Sequence, residues 1–160
     1  MTPRIDYPQA DPGAFKAMLA LQAHVDRSAL DPALHDLVRL RASQINGCGY
    51  CIDMHSKQAR ARGETEQRLY GLDAWAEAPF YSERERAALA WTEAVTLVRE
   101  GHVADSAYAT AREQFGESEL VDLTLAIVAI NGWNRLCIAF RSVPGTYQLP
   151  AQRHQPPSGE

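Results

Sequence analysis

The stretch Asn46-Gly47-Cys48-Gly49-Tyr50-Cys51-Ile52-Asp53-Met54-His55 holds two thiols and an imidazole close together. If a helix begins near Gly49, Cys48, Cys51 and His55 stand at i, i+3 and i+7 and share one face. The thiols then sit at the helix N-terminus, where the partial positive charge favours a thiolate, and Cys-x-x-Cys spacing lowers thiol pKa values further. His55, one turn past Cys51, can take its proton or pair with its thiolate. A nucleophilic thiolate, a second thiol and a base are the parts of a thiol redox centre. The same Cys-x2-Cys-x3-His run also supplies three zinc ligands, with Cys137 or a carboxylate as a fourth. No second Cys/His pair follows to close such a site, so the redox reading is preferred and no metal is expected. Cys137, alone inside an apolar segment, reads as a buried small hydrophobe.

A histidine base works better when its second nitrogen is held. Asp53, two residues from His55, points to another helix face. If the helix ending at Asn46-Gly47 folds back antiparallel on the next, Asp36 lies about 15 Å along its axis from the turn, His55 about 12 Å and Cys51 about 6 Å. That order suits a carboxylate–histidine–cysteine relay. Asp36 is equally explained as a solvated acid near a helix N-terminus.

The elements that must position these groups read as helices. Asp11-Pro12 and Asp31-Pro32 are both N-cap-then-proline starts. The first predicts a helix to about Asp26, with Phe15, Met18, Leu19, Gln22 and Ala23 on one side. The second predicts a helix carrying Leu34, Leu37, Val38, Arg41 and Ile45 that stops near Asn46-Gly47. A third runs from Gly49 to Gly63, a C′ glycine, and a fourth from about Glu66 to Trp75. Ser82-Glu83-Arg84-Glu85 is a capping box opening a fifth helix that ends at Gly101. Asp105 caps a sixth that stops at Gly116. The last and longest, through about Phe140, is apolar nearly all round, as a helix buried in a core or against another subunit is. No alternating strand pattern appears, so the fold class is all-α, with about six to seven helices. Residues 1–143 form one domain and 144–160 an extended or disordered tail. Ile45-Asn46-Gly47 is echoed at Ile130-Asn131-Gly132, too short a match to be a repeat. Trp75, Trp91 and Trp133 lie in apolar stretches and are expected in the core or an interface. His24, His35, His102 and His154 have no cysteine partner in sequence and are expected at the surface or beside the site.

The chain has 160 residues, 46% hydrophobic and 22% charged, which suits a single globular domain. A net charge of -4 with no basic run gives no general attraction to nucleic acid or anionic membranes. The apolar run from Leu123 to Ile130 is too short to span a bilayer, and the N-terminus lacks a signal-peptide core. A cytoplasmic location is the default. The 3 cysteines are too sparse for a secreted disulfide framework. No flavin, haem or nucleotide motif is present, so no cofactor is expected.

The segment from Asp36 to His55 resembles the AhpD-like alkylhydroperoxidase family of the carboxymuconolactone decarboxylase superfamily, whose pattern is Glu, eleven residues, Cys-x2-Cys, three residues, His. Ala129 to Leu136 is similar to the C-terminal helix of its single-domain members. The resemblance covers about residues 10 to 142. It implies an all-helical fold in tight homo-oligomers, commonly trimers or hexamers, and a peroxidase reducing hydroperoxides through a disulfide cycle. Cys51 resembles the attacking thiol, Cys48 the thiol that closes the disulfide, and His55 the proton-relay histidine. The carboxylate position falls on Asp36, one C–C bond shorter than the family's Glu. The implied reductant is a lipoyl or thioredoxin-like dithiol. Helix-dipole reasoning alone favours Cys48 as the more acidic thiol, whereas the resemblance assigns attack to Cys51. A thiol redox sensor and a decarboxylase like the superfamily's namesake are the alternatives, the latter opposed by the cysteine pair.

Overall fold

The computed structural model describes residues 1–149. Among them are nine α-helices, one 3-10 turn and no strand. The helices are α1 (Tyr7–Ala10), α2 (Pro12–Asp26), α3 (Pro32–Ile45), α4 (Gly49–Ala61), α5 (Glu66–Gly71), α6 (Glu83–Thr96), α7 (Val98–Gly101), α8 (Asp105–Gln114) and α9 (Glu117–Phe140), with the 3-10 turn at Leu72–Ala74. The Asp11 and Asp31 side chains cap α2 and α3 ahead of their prolines, and Ser82 and Glu85 form the capping box of α6. The excess over six to seven helices has local causes. Asp6 and Pro8 start a short turn of helix before α2, the fourth helix tightens into the 3-10 turn, and the fifth breaks at Leu97 into α6 and α7.

Helix α3 is the centre, packed against α4, α6 and α9. It is buried on two faces. Leu34 and Val38, one turn apart, meet Trp91 of α6, Phe115, and Leu123 and Ile127 of α9. Leu37 and Leu40 meet Ala59 of α4, Leu69 and Leu72 of the α5 region, and Leu89 of α6. By length and composition α9 could cross a membrane. Here its Leu123, Ala126, Ile127, Ala129 and Ile130 lie in the core, while Val121, Val128 and Ile138 are exposed. Of helix α2 only Val25 is fully buried; on its apolar side Leu19 is exposed. Its Phe15, Met18 and Gln22 instead border cavities against α9.

The α3–α4 reversal is a Schellman turn. Gly47 takes φ +67°, its N–H bonds the Gln44 carbonyl, and the Cys48 N–H bonds the Ser43 carbonyl. Glycine serves here because the left-handed region carries no Cβ penalty for it. The turn makes Cys48 the N-cap of α4. A polar network then fixes α9 against this corner. Asn46 Nδ2 donates to Asn131 Oδ1 and Asn134 Oδ1, at 3.0 and 2.9 Å, and the buried Asn134 donates to Ser43 Oγ at 3.0 Å. The two asparagines of the short sequence echo are thus bonded to each other across α3 and α9. Of the tail beyond residue 143, the part from Pro144 to Leu149 is described and runs without helix; Gly145 N–H bonds Asp53 Oδ2. The rest of the expected tail lies outside the described residues.

Candidate active site

Cys48, Cys51 and His55 do share one face of α4, and all three are buried. The cysteines are free thiols, with Cys48 Sγ and Cys51 Sγ 2.7 Å apart. A disulfide of about 2.05 Å needs only a small further approach. Cys137 has more neighbours in the site than the reading as a small hydrophobe implies. It is buried as expected, but it joins the pair: its Sγ and those of Cys48 and Cys51 all lie within 4.8 Å of one another. The Asn134 anchor sits one turn before it on α9. Nothing local in the sequence marks this meeting, because it depends on how α9 registers against α3 and α4.

The thiol acidity also departs from the helix-terminus argument. A thiol–thiolate hydrogen bond to Cys137, then burial, pushes the Cys48 thiol up. Cys51 is raised by its hydrogen bonds to Cys137 and Cys48 and by burial. The Cys137 thiol is pulled down by its proximity to the Cys48 and Cys51 thiols, against burial, with help from Ser142 and Tyr7. Close sulfurs sharing protons outweigh the half-charge of a helix end.

His55 Nδ1 lies 3.0 Å from Gln58 Oε1. The Gln58 amide nitrogen donates to the Tyr147 hydroxyl at 2.9 Å, so its oxygen faces the imidazole. Nδ1 therefore carries the proton and donates it, leaving Nε2 as a lone-pair acceptor. Nε2 is buried and has no hydrogen-bond partner among the described residues. Burial, followed by the charge of Arg39, holds the imidazole down to about 4, so it is neutral at physiological pH.

Asp36 does not hold His55. Both of its carboxylate oxygens accept from Arg62 Nη1 at 2.5 Å. The acid is buried rather than solvated, and its bonds to Arg62 tie α3 to the C-terminal end of α4. Burial raises its pKa, opposed by the Arg62 bonds. Gln58 occupies the seat expected for Asp36. It lies three residues past His55 on the same helix, a spacing legible in the sequence although the choice of partner was not.

A cavity of about 360 Å³ opens onto the sulfurs, bordered by Cys51, His55 and Cys137 together with Tyr7, Tyr50 and Trp133. Tyr50, between the two cysteines in the sequence, is part of this lining. Trp133 is held by a bond from Nε1 to Gln22 Oε1 at 3.1 Å. Trp91 lies in the core as expected. Of the other histidines, His35 is buried rather than at the surface, and burial lowers its pKa to about 4. His24 and His102 are exposed, and His154 lies outside the described residues.

Residues 12–94 match the carboxymuconolactone decarboxylase family. The chain is 43% identical over 139 residues to the uncharacterised protein YdfG of Bacillus subtilis, covering 87% of this chain and 95% of that one. A crystal structure of a protein of unknown function from Agrobacterium tumefaciens, described as a candidate AhpD antioxidant defence protein, superposes with a TM-score of 0.88 at 44% identity, covering 91% of this chain and 100% of that one. The debrominase Bmp8 shares the fold, at a TM-score of 0.73 and 21% identity over 81% of this chain and 70% of that one.

Proposed function

Because the chain belongs to the carboxymuconolactone decarboxylase family, in its AhpD-like form, we propose that it is a thiol-dependent peroxidase reducing hydroperoxides through a Cys48–Cys51 disulfide cycle. The family includes enzymes, and its AhpD-like members support a peroxidase-related role. The observation that carries the finer reading is the 2.7 Å approach of the two sulfurs, with Cys51 lining the same cavity as His55, whose buried Nε2 has no hydrogen-bond partner among the described residues.

In this reading the Cys51 sulfur attacks the peroxide oxygen. His55 Nε2 takes the Cys51 proton and returns it to the departing alkoxide. One thiol and one hydroperoxide become a Cys51 sulfenic acid and an alcohol. The Cys48 sulfur then displaces the hydroxyl, which leaves as water with the Cys48 proton, and the disulfide forms. An external dithiol, lipoyl or thioredoxin-like, reduces it by exchange and is itself oxidised. Gln58 keeps the lone pair of His55 on the nitrogen away from itself, and Asp36 contributes through the α3–α4 junction alone.

The exposed Val121 and Val128, two turns apart on α9, suit a homo-oligomer, trimer or hexamer; sedimentation of only a 17.7 kDa species would overturn that. A cytoplasmic setting, where thiols are kept reduced, fits the cycle. The decisive experiment follows cumene hydroperoxide consumption with dihydrolipoamide or thioredoxin as reductant. Repeated turnover, lost on Cys51→Ser, is the expected result. A single oxidation without turnover under every dithiol would replace the enzyme with a thiol sensor.

A further inference from the structure

The proposed cycle leaves one sulfur of the cluster unused. Cys137 lies on α9, outside the residues that match the family, yet its Sγ is within 4.8 Å of both other sulfurs. The cavity is bordered by Cys51 and Cys137, while Cys48 is not among its lining residues. A reductant entering by the cavity therefore meets Cys51 and Cys137, with Cys48 set behind them. We propose that Cys137 is a second resolving thiol for Cys51, taking the disulfide over from Cys48 so that both bonded sulfurs border the cavity.

The hand-over is balanced. The Cys137 thiolate attacks the Cys51 sulfur of the Cys48–Cys51 disulfide, the bond to Cys48 breaks, and Cys48 leaves as a thiolate. One disulfide is lost and one formed, with no net oxidation. Where Cys48 is absent, the Cys137 sulfur displaces the hydroxyl of the Cys51 sulfenic acid, which departs as water with the thiol proton. Side-chain rotation about χ1 is the motion available to bring sulfurs from this separation to bonding distance.

The inference rests on Cys51 being the oxidised sulfur, so the test separates the two. Reduced full-length Cys48→Ser and Cys48→Ala proteins are treated in parallel with diamide, which oxidises thiols without peroxide, and with cumene hydroperoxide. Free thiols are then alkylated and peptides mapped by mass. The expected result with both oxidants is an intrachain Cys51–Cys137 link, seen as the loss of two hydrogens; adding Cys137→Ser abolishes it and, in the hydroperoxide arm, leaves a sulfenic acid that dimedone traps. In the chain that keeps Cys48, Cys137→Ser slows reduction of the oxidised protein by dithiothreitol. Free thiols after diamide in both Cys48 variants overturn the pairing, and equal reduction rates overturn the hand-over. A link with diamide but none with hydroperoxide supports the pairing and overturns the peroxidase reading.

Discussion

The neutral, buried state of His55 has a cost that acid exposes. In the folded chain burial holds its pKa down to about 4, against an ordinary 6.5. A folded-state pKa below the unfolded one means that the unfolded chain binds the proton more readily. The stabilisation is complete above the unfolded value and is lost as pH falls through the window from about 6.5 to about 4. At 1.36 kcal/mol per pKa unit, the gap corresponds to about 3 kcal/mol, of which about 2.5 is gone by pH 4.5. His55→Gln replaces the ring with an amide that does not titrate. Urea denaturation of both proteins at pH 7.5 and 4.5, at one fixed protein concentration, isolates the contribution. His35, buried with a pKa also lowered to about 4, contributes acid sensitivity of the same sign in both proteins. The wild type should lose about 2.5 kcal/mol more than His55→Gln across that interval. Parallel loss in the two proteins would mean that the imidazole is solvated or already charged, and the argument for an open Nε2 acceptor would fall with it.

Asp36→Ala should cost about 2 kcal/mol in thermal or urea unfolding, below the 3–5 of a fully buried pair because Arg62 is half exposed and can re-solvate. It should leave the rate of Cys51 alkylation unchanged; a marked change would restore Asp36 to the relay. Gln58→Leu should lower the hydroperoxide reduction rate with little effect on stability, and Gln58→Glu should rescue part of the loss, since its oxygen still accepts from Nδ1; wild-type rates for Gln58→Leu would show that the tautomer is set elsewhere. Gly47→Ala places a Cβ at φ +67° and should destabilise the chain by about 1 kcal/mol, read as a lower thermal midpoint; an unchanged midpoint would remove the Schellman turn from the account of how Cys48 is placed.

Helix starts were legible because their chemistry is local. Asp11-Pro12, Asp31-Pro32 and Ser82 to Glu85 satisfy their own orphan N–H groups, and the observed helices begin where those residues stand. The break at Leu97 was not legible, since Leu97 and Val98 are apolar residues that continue the helical pattern and the interruption is a matter of backbone geometry. The site divides in the same way. The shared face of Cys48, Cys51 and His55 follows from helical spacing alone. The partner of Asp36 is settled by competition. The axial estimate put Asp36 in the correct neighbourhood, but Arg62, about 22 Å from the turn at 1.5 Å per residue, reaches back along its long side chain and takes the carboxylate. Spacing could not weigh a long guanidinium side chain against an imidazole, and it could name Cys137 as one candidate beside the pair without placing it, since its position depends on the Asn46–Asn134–Ser43 network between distant helices.

Where the chain can safely be shortened follows from Tyr147. An expression boundary at residue 143, the limit suggested by the helical pattern, would retain every helix and every core cluster, and a far-UV spectrum would report an intact protein. It would also delete the hydroxyl that accepts from the Gln58 amide and the carbonyl that accepts from Lys57. Gln58 could then turn over and offer its NH2 to Nδ1, which would have to become the acceptor. The ring proton would move to Nε2, converting the nitrogen that the proposed cycle uses as a proton acceptor into a donor. A tag fused immediately after α9 carries the same hazard, and a truncated protein found inactive would have lost its tautomer with its fold untouched.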